Sequence, residues 1–283
     1  GTFTKEIKEA WCANGFIPVQ NADNTWTVKE GEYVARNTTT GQGYETLVEA
    51  VEAAAADQEV KLLADAAGAG VVINKDITID FGGNTYTVNQ AVGSAGTETL
   101  GFQILKDNDV TLKNGTLTST TPVVAGKEVK MLVQNYANLT LTDMNLVDNT
   151  AHIQYVLSNN SGVSYINGAT SITTDAVAFD VYDYSSAGYE LPTVNVETEG
   201  IIEGEIEVSS TIPTNLNISA GTFTVEIAEA WCANGYIPTT EVVGGITYYT
   251  VKEGEYVAQV NDGAKYESLV EAYDAAQSGA TVK

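Results

Sequence analysis

The sequence predicts a mainly β fold, a solenoid with three strands per coil and about six coils, because one pattern of short strands recurs along it. Three strand signatures of alternating apolar and polar residues follow one another in a fixed order between residues 71 and 223. The first of them starts at Val71-Val72-Ile73 and recurs as far as Ile206-Glu207-Val208. From Val72 to Glu207 is 135 residues over five steps, or about 27 residues per step, which suits one coil of a β-solenoid.

The alternation within each signature places one set of side chains inward and the other toward water. A single coil cannot bury its own interior, but coils stacked about 4.8 Å apart pair each strand with its counterparts and close an apolar core. We therefore expect Ile79, Leu112, Leu141 and Val196 to stack inward in one column. The first signature is found at 71–73, 102–104, 131–133, 155–157, 179–181 and 206–208, the second at 77–79, 110–112, 139–141, 163–165, 194–196 and 216–218, and the third at 86–88, 116–118, 145–147, 171–173, 201–202 and 222–223.

An internal repeat organises the rest of the chain. Residues 1–61 reappear at 221–283, and Glu9-Ala10-Trp11-Cys12-Ala13-Asn14-Gly15 matches Glu229 to Gly235 without a change. The expected parts are a connector at 1–59, a β-helix at 60–224 and a second copy of the connector at 225–283, where the next repeat starts. The repeat indicates a segment of a longer protein, with adjacent repeats of the same protein as partners.

Each connector reads as a short helix, a hairpin and a second helix. In the first copy, the apolar spacing predicts a helix over Glu6–Ala13 that stops at Asn14-Gly15, and a hairpin strand at Thr25–Val28. An amphipathic helix follows over Tyr44–Ala56. We expect this last helix to cap the end of the solenoid, because an open terminal coil would leave strand edges and apolar core exposed.

The net charge restricts the partners of the chain. It carries 37 acidic and 13 basic residues, a formal net charge of −24, which repels nucleic acid and anionic lipid. No apolar run approaches the ~20 residues of a membrane span, so membrane insertion of this segment is not expected. No signal peptide opens the chain, which also agrees with an internal segment.

Parts of the sequence resemble known families. The runs 44–50, 60–65 and 72–80 resemble the start of right-handed parallel β-helices of the pectate-lyase-like superfamily. The Gly-Thr-Phe-Thr, Trp-Cys-Ala-Asn-Gly and Asn-Thr-Trp-Thr-Val-Lys pieces are similar to connectors in large repetitive surface proteins of gut bacteria. The resemblance covers essentially the whole chain. It implies a right-handed single-stranded parallel β-helix flanked by small α+β connectors with a capping helix, in an extracellular, cell-surface protein.

The residue inventory argues against catalysis on such a fold. Polysaccharide lyases of this superfamily need an Arg or Lys base beside carboxylates that hold calcium, whereas this chain has one Arg, Arg36, and one His, His152. Arg36 is replaced by Gln259 in the second connector, and His152 lies at a predicted corner. Several outward-facing aspartates could serve as calcium ligands, but their spacing matches no known calcium loop. They are Asp80, Asp107, Asp109, Asp143 and Asp148. We therefore expect no catalytic residue, no metal site and no cofactor.

Two classes of function are compatible with these features. The first is a non-catalytic repeat module, an adhesin or rigid stalk, with host glycan or host protein as ligand. Its candidate ligand-binding residues are Tyr182, Tyr184 and Tyr189, because tyrosine rings on a long excursion between coils can stack on sugar rings. The alternatives are a carbohydrate-active enzyme of the lyase or hydrolase type and a phage fibre on the same fold.

Cys12 and Cys232 are equivalent positions, which favours two buried, reduced thiols over a disulfide between molecules.

Overall fold

A computed structural model describes residues 1–13 and 15–283 of the chain. The fold is mainly β, with 49% of residues in strands and 8% in helices. Helices α1 (Leu47–Ala53) and α2 (Leu269–Ala275) are accompanied by short 3-10 helices at Glu9–Trp11, Ser185–Ala187 and Glu229–Trp231. The strands are β1 (Phe16–Gln20), β2 (Trp26–Glu30), β3 (Ala35–Asn37), β4 (Gly43–Tyr44), β5 (Gln58–Leu62), β6 (Ala66–Ala69), β7 (Val71–Ile73), β8 (Ile77–Asp80), β9 (Thr85–Gln90), β10 (Leu100–Ile104), β11 (Asp109–Ser119), β12 (Met131–Asn135), β13 (Asn138–Val147), β14 (Tyr155–Asn159), β15 (Val163–Gly168), β16 (Ser171–Val181), β17 (Thr193–Val208), β18 (Leu216–Phe223), β19 (Tyr236–Val243), β20 (Ile246–Glu253), β21 (Ala258–Gln259) and β22 (Lys265–Tyr266).

Between β5 and β18 the strands pair in parallel and form three ladders, one for each predicted signature. The first ladder runs through β7, β10, β12, β14 and the ends of β16 and β17. The second runs through β5, β8, the starts of β11 and β13, β15, and the starts of β17 and β18. The third runs through β6, β9, the ends of β11 and β13, the start of β16, the middle of β17 and the end of β18. We call one strand from each ladder, taken consecutively along the chain, a row.

The core of the second ladder is a continuous column of aliphatic side chains. Ile79 pairs with Leu112 and Leu112 with Leu141, which in turn pairs with Ile166, the neighbour of Val196. All five residues are completely buried. Because the pairing is parallel and in register, identical positions of successive rows lie directly over one another. The structure thus confirms the predicted column and adds Ile166 to it.

The register of the first ladder differs from the prediction in two rows. Val133 pairs with Phe102, and Asn135 with Ile104, so the row begins two residues later than the predicted 131–133. The same shift moves the next row from 155–157 to 157–159, because Asn135 pairs with Asn159. Both asparagines occupy inward, fully buried positions. Since the prediction relied on apolar residues at inward positions, it assigned these asparagines to turns.

The second ladder differs from the prediction in its fourth row. The sequence pattern placed Val163 and Tyr165 inward, but Ser164 pairs with Leu139 and Ile166 with Leu141. Ser164 is therefore buried, whereas Tyr165 is 46% exposed. A shift of one residue exchanges the two faces of a strand, and a buried serine gave no apolar signal of the true register.

The connectors contain less helix than the sequence predicted. Over the predicted Glu6–Ala13 only the 3-10 helix Glu9–Trp11 forms, because Lys8 before it has an extended backbone. A helix of two turns is marginal without tertiary packing, and Trp11 is 68% exposed. The predicted helix stop at Asn14-Gly15 includes Asn14, which is outside the described residues. The predicted hairpin is present as the antiparallel pair of β1 and β2, and again as β19 and β20.

Helix α1 occupies the position expected of a cap. Its N-terminus is closed by a capping box, in which Thr46 Oγ1 accepts from the Glu49 amide and the Glu49 carboxylate accepts from the Thr46 amide. Leu47 and Val51 are buried in the same core as the parallel ladders. At the other end of the helix, Lys75 Nζ donates to three backbone carbonyls, those of residues 51, 52 and 54. Capping and packing together fix α1 against the first row.

Within residues 1–13 and 15–283, no helix has both the length and the apolar character required to cross a membrane.

Candidate functional site

Four tyrosines come together on one surface, and three of them are the residues that the sequence singled out. Tyr182, Tyr184 and Tyr189 lie on the segment between β16 and β17. Tyr184 stacks on Tyr189 with ring centroids 5.3 Å apart, and Tyr182 lies 6.0 Å from Tyr184. Tyr136, from the corner after β12, completes the group at 4.7 Å from Tyr189. We call these four residues the tyrosine patch.

Sequence reasoning missed Tyr136, although a usable signal was present. Asn135 and Asn159 are register partners, as are Asn159 and Val181, so residues 136, 160 and 182 occupy the same corner of three successive rows. Tyr136 and Tyr182 are therefore separated by one row, close enough for their rings to share neighbours. The predicted ranges 131–133, 155–157 and 179–181 also place Tyr136 at the corner that carries Tyr184, so the sequence pattern contained this signal.

The segment that carries three of these tyrosines is held in place by Asp183. Its carboxylate accepts hydrogen bonds from the amide and hydroxyl of Ser185 and from Thr211 Oγ1. These bonds lower the pKa of Asp183, with the Ser185 hydroxyl as the largest contribution. The segment then turns at Gly188, whose positive φ of 85° is a left-handed conformation that glycine adopts without strain. The tyrosine patch is thus presented on an ordered support.

A cleft of about 240 Å³ opens beside the patch. Tyr136 and Tyr189 form its aromatic wall, and Asn108 and Asn138 contribute amides. Further lining comes from Lys106, Asp107, Ala137, Ser161, Gly162, Gly188 and Glu190. Aromatic faces next to amide and hydroxyl groups can stack on a sugar ring and hydrogen-bond its hydroxyls.

A buried polar layer lies beneath this corner. Asn135 Nδ2 donates to Asn159 Oδ1 at 2.8 Å, and Ser164 Oγ donates to the same oxygen at 2.7 Å. Asn159 Nδ2 has no hydrogen-bond partner among the described residues, even though the residue is completely buried. A buried donor left without a partner costs about 1–3 kcal/mol. The layer therefore orders the corner at some expense of stability.

An acidic groove adjoins the patch on the outer side of the first ladder. Asp180 and Glu207 are register partners on neighbouring strands and line a groove of about 470 Å³ together with Tyr182 and Trp231. Tyr155 Oη donates to Glu207 Oε2 at 3.3 Å. Tyr182 belongs to both the groove and the patch, so the two form one continuous surface.

Asp180 has an unusual electrostatic environment. It is 6% exposed, and its burial raises the pKa of its carboxyl to about 7, against the lowering effect of hydrogen bonds from the Asn159 amide and Ser158 Oγ. The negative charge of Glu207 on the adjacent strand raises the pKa further. The carboxyl can therefore gain or lose a proton near neutral pH.

The chain's one arginine and one histidine lie away from this surface. Arg36 pairs with both carboxylate oxygens of Glu9, at 3.1 and 2.9 Å, and in the second connector Lys265 pairs in the same way with Glu229. Each ion pair thus joins the 3-10 helix of a connector to a strand of the same connector, β3 or β22. His152 is exposed in the segment between β13 and β14. Neither residue is placed to act on a ligand at the tyrosine patch or the groove.

The aspartates considered for calcium serve separate turns. Asp80 accepts from the Gly82 amide and from Asn114 Nδ2, and Asp143 accepts from the Ala169 amide. Asp109 accepts from Asn138 Nδ2, and Asp148 accepts from the hydroxyl of Thr174 on the next row. In the part of the chain that the structure describes, no group of three or more His, Cys, Asp or Glu side chains is arranged to hold a metal ion.

Both cysteines are free thiols. Cys12 and Cys232 are half-buried rather than fully buried as expected, because each follows a 3-10 helix at the surface of its connector. Burial raises the pKa of Cys232 to about 11, so its thiol is protonated at neutral pH.

Comparisons with protein-family profiles, with curated proteins and with solved structures found no match to this chain.

Replacing Asp180 tests the electrostatics of the groove. The carboxyl has an ordinary pKa of about 4 in the unfolded chain and about 7 in the folded protein, so the folded state is destabilised progressively as pH rises through that range. Asp180→Asn removes this titration. We expect the melting temperature of the variant, relative to the unsubstituted protein, to rise between pH 4 and pH 8. Glu203→Gln, an exposed position on the same strand as Glu207, should show no such trend. A difference that stays constant across the pH range would contradict the buried environment of Asp180.

Proposed function

We propose that the three ladders form a right-handed single-stranded parallel β-helix and that the chain is a non-catalytic repeat module of a secreted or cell-surface bacterial protein. Parallel, in-register pairing of successive rows supports a solenoid, and parallel crossovers are right-handed in nearly all known cases. The connector sequences, which resemble those of large surface proteins of gut bacteria, support the extracellular location. The module acts as an adhesin or rigid stalk, with adjacent repeats as its partners.

The ligand of the module is a glycan bound at the tyrosine patch. The observation that carries this proposal is the convergence of four tyrosines from two separate segments beside a polar cleft. Tyr182 keeps 49% of its surface exposed, and the other three rings are partly exposed. Rings that already pack on one another are rigid, so stacking a sugar on them costs little conformational entropy.

The charges around the patch restrict the kind of glycan. Asp180, Asp183, Glu190 and Glu207 surround it, whereas Lys106 is the one cation among the residues of the cleft and the groove that the structure describes. A polyanion such as a uronate polymer would meet like charge both here and over the whole surface, since the chain has a net charge of −24. Neutral sugars or sugars with amino groups fit the site better.

A glycan array followed by titration calorimetry tests this assignment. Tyr184→Ala together with Tyr189→Ala removes the stacked pair, and we expect affinity for any glycan found on the array to fall at least about tenfold. Tyr165→Ala is the matched control, because Tyr165 is exposed on β15 and outside the patch. If the double variant binds as tightly as the control, the ligand does not sit on the tyrosine patch. If the array yields no glycan at all, the glycan-binding proposal fails.

The acidic groove favours a second candidate, a carbohydrate-active enzyme. Asp180 and Glu207 project from adjacent strands, and a carboxyl with a pKa of about 7 beside a second carboxyl is an arrangement that glycoside hydrolysis can use. Against this, a carboxyl as buried as Asp180 offers little access to a glycosidic oxygen, and its oxygens already accept from the Asn159 amide at 2.6 Å and Ser158 Oγ at 3.2 Å. We therefore retain the non-catalytic proposal.

Assays of turnover separate the two candidates. We expect no unsaturated sugar ends from uronate polymers, with or without calcium, and no reducing ends from neutral polysaccharides. Product that forms in proportion to added protein and disappears in Asp180→Asn, while Glu203→Gln still forms it, would establish the enzyme instead.

A further inference from the structure

The two connectors have matching sequences but bury opposite faces. In α1, Leu47 is fully buried and Val51 is 1% exposed. The equivalent residues of α2 are Leu269, which is 62% exposed, and Tyr273, which is 75% exposed. Val270 beside them is 69% exposed, so α2 presents a continuous apolar face to solvent.

The first connector shows what covers such a face. Helix α1 packs on β5, β6 and β7, which follow it directly in the chain. Lys75, just after β7, donates to the carbonyls of residues 51, 52 and 54 at the end of α1. No side chain among the described residues donates to the equivalent carbonyls of α2, at 273, 274 and 276. The apolar face and the C-terminal carbonyls of α2 are thus suited to contact a row of strands. Helix α1 packs on such a row, whereas α2 has none to pack on.

The segment Thr281–Lys283, which follows α2, is also open on one side. In the first connector, Val60 pairs antiparallel with Asn37 and parallel with Ile79. Its equivalent, Val282, makes the antiparallel pair, with Val260, but not the parallel one. The other edge of Val282 is therefore positioned for a parallel strand like β8.

On the other face of the connectors, it is the second copy that is buried and the first copy that is exposed. Phe223 is fully buried and Trp231 packs partly on the core, because the last rows lie beside the second connector. Their equivalents in the first connector, Phe3 and Trp11, are 50% and 68% exposed. Each connector is therefore packed on the side where this chain supplies rows and open on the other side. Poor packing intrinsic to the connector sequence would not produce this reciprocal pattern.

We propose that the exposed face of α2 and the free edge at Thr281–Lys283 bind one partner, a row of strands with the sequence of residues 62–81 that follows Lys283 in the same polypeptide. The connector is then a joint with two faces, clamped between the last row of one repeat and the first row of the next. This inference rests on the repeat-module part of the proposed function and is independent of glycan binding.

A separate copy of the chain is a poorer occupant. Its own residues 62–81 are already covered by its own α1, so it offers no free row to α2. Its other open surface, around Phe3 and Trp11, is complementary to last rows rather than to α2. The partner that fits is therefore covalently continuous.

A tandem fusion tests the proposal. Residues 1–283 are followed directly by a second copy of residues 62–283, so that Lys283 is joined to Leu62 as Lys61 is in the chain itself. Hydrogen exchange is then measured for the amides of the central α2 and compared with the single chain. We expect exchange in the central helix to slow at least about tenfold, toward the rate of α1. The helix at the C-terminus of the fusion serves as an internal control and should exchange as in the single chain.

Matched substitutions identify the contact. Leu269→Asp in the first copy of the fusion should abolish the protection of the central helix while the strands of both copies stay protected. In the single chain, Leu269→Asp should shift the melting temperature by no more than about 1 °C, whereas Leu47→Asp at the equivalent position should lower it markedly.

Three outcomes would overturn the proposal. The first is a central α2 that exchanges as fast as in the single chain, and the second is a fusion whose second copy does not fold after Lys283. The third is protection of α2 in the single chain that rises with protein concentration to the level of the fusion, which would assign the face to a second molecule. A failure of glycan binding changes none of these readouts.

Discussion

The structure depends on one constraint, that a row of three short strands buries its interior only through the rows on either side. In-register parallel pairing satisfies this constraint by placing Leu141 between Leu112 and Ile166, and Leu139 lies likewise between Val110 and Ser164. A terminal row has one neighbour, so its free side must be covered by something other than a row. Helix α1 is that cover in the first connector, and Lys75 binds the helix to the row beneath it.

The constraint explains which parts of the fold could be predicted from sequence. Strand order, strand positions and the aliphatic column follow from period-2 alternation, which is strong wherever inward residues are Ile, Leu or Val. The pattern gave the wrong register at Asn135, Asn159 and Ser164, because these inward residues are polar. Asn135 hydrogen-bonds Asn159 and Ser164 of the next row. Such bonds are a property of two rows together, so no single row of sequence contains them.

The candidate site was predictable to the same extent. Three tyrosines on one long segment between strands were visible in the sequence, but Tyr136 joins them from a separate segment two rows earlier. The environment of Asp180 was also hidden, because its burial and the charge of Glu207 come from neighbouring strands. The candidate site on this fold is assembled across rows. The tyrosine patch and the acidic groove are both examples, since each combines residues that are distant in sequence and equivalent in position.

The register of the fourth row is the most direct test of this account, because sequence pattern and structure disagree there. In a Cys12→Ser, Cys232→Ser background, Thr140→Cys with Tyr165→Cys joins two register partners, whose Cα atoms in a parallel pair lie about 4.8 Å apart, within disulfide range. The structure predicts that this pair forms a disulfide rapidly under mild oxidation. Thr140→Cys with Ser164→Cys, the pair that the sequence pattern favours, should form one slowly, because Ser164 faces the core. Faster cross-linking of the second pair would contradict the stacking on which the fold, the candidate site and the proposed joint between repeats all depend.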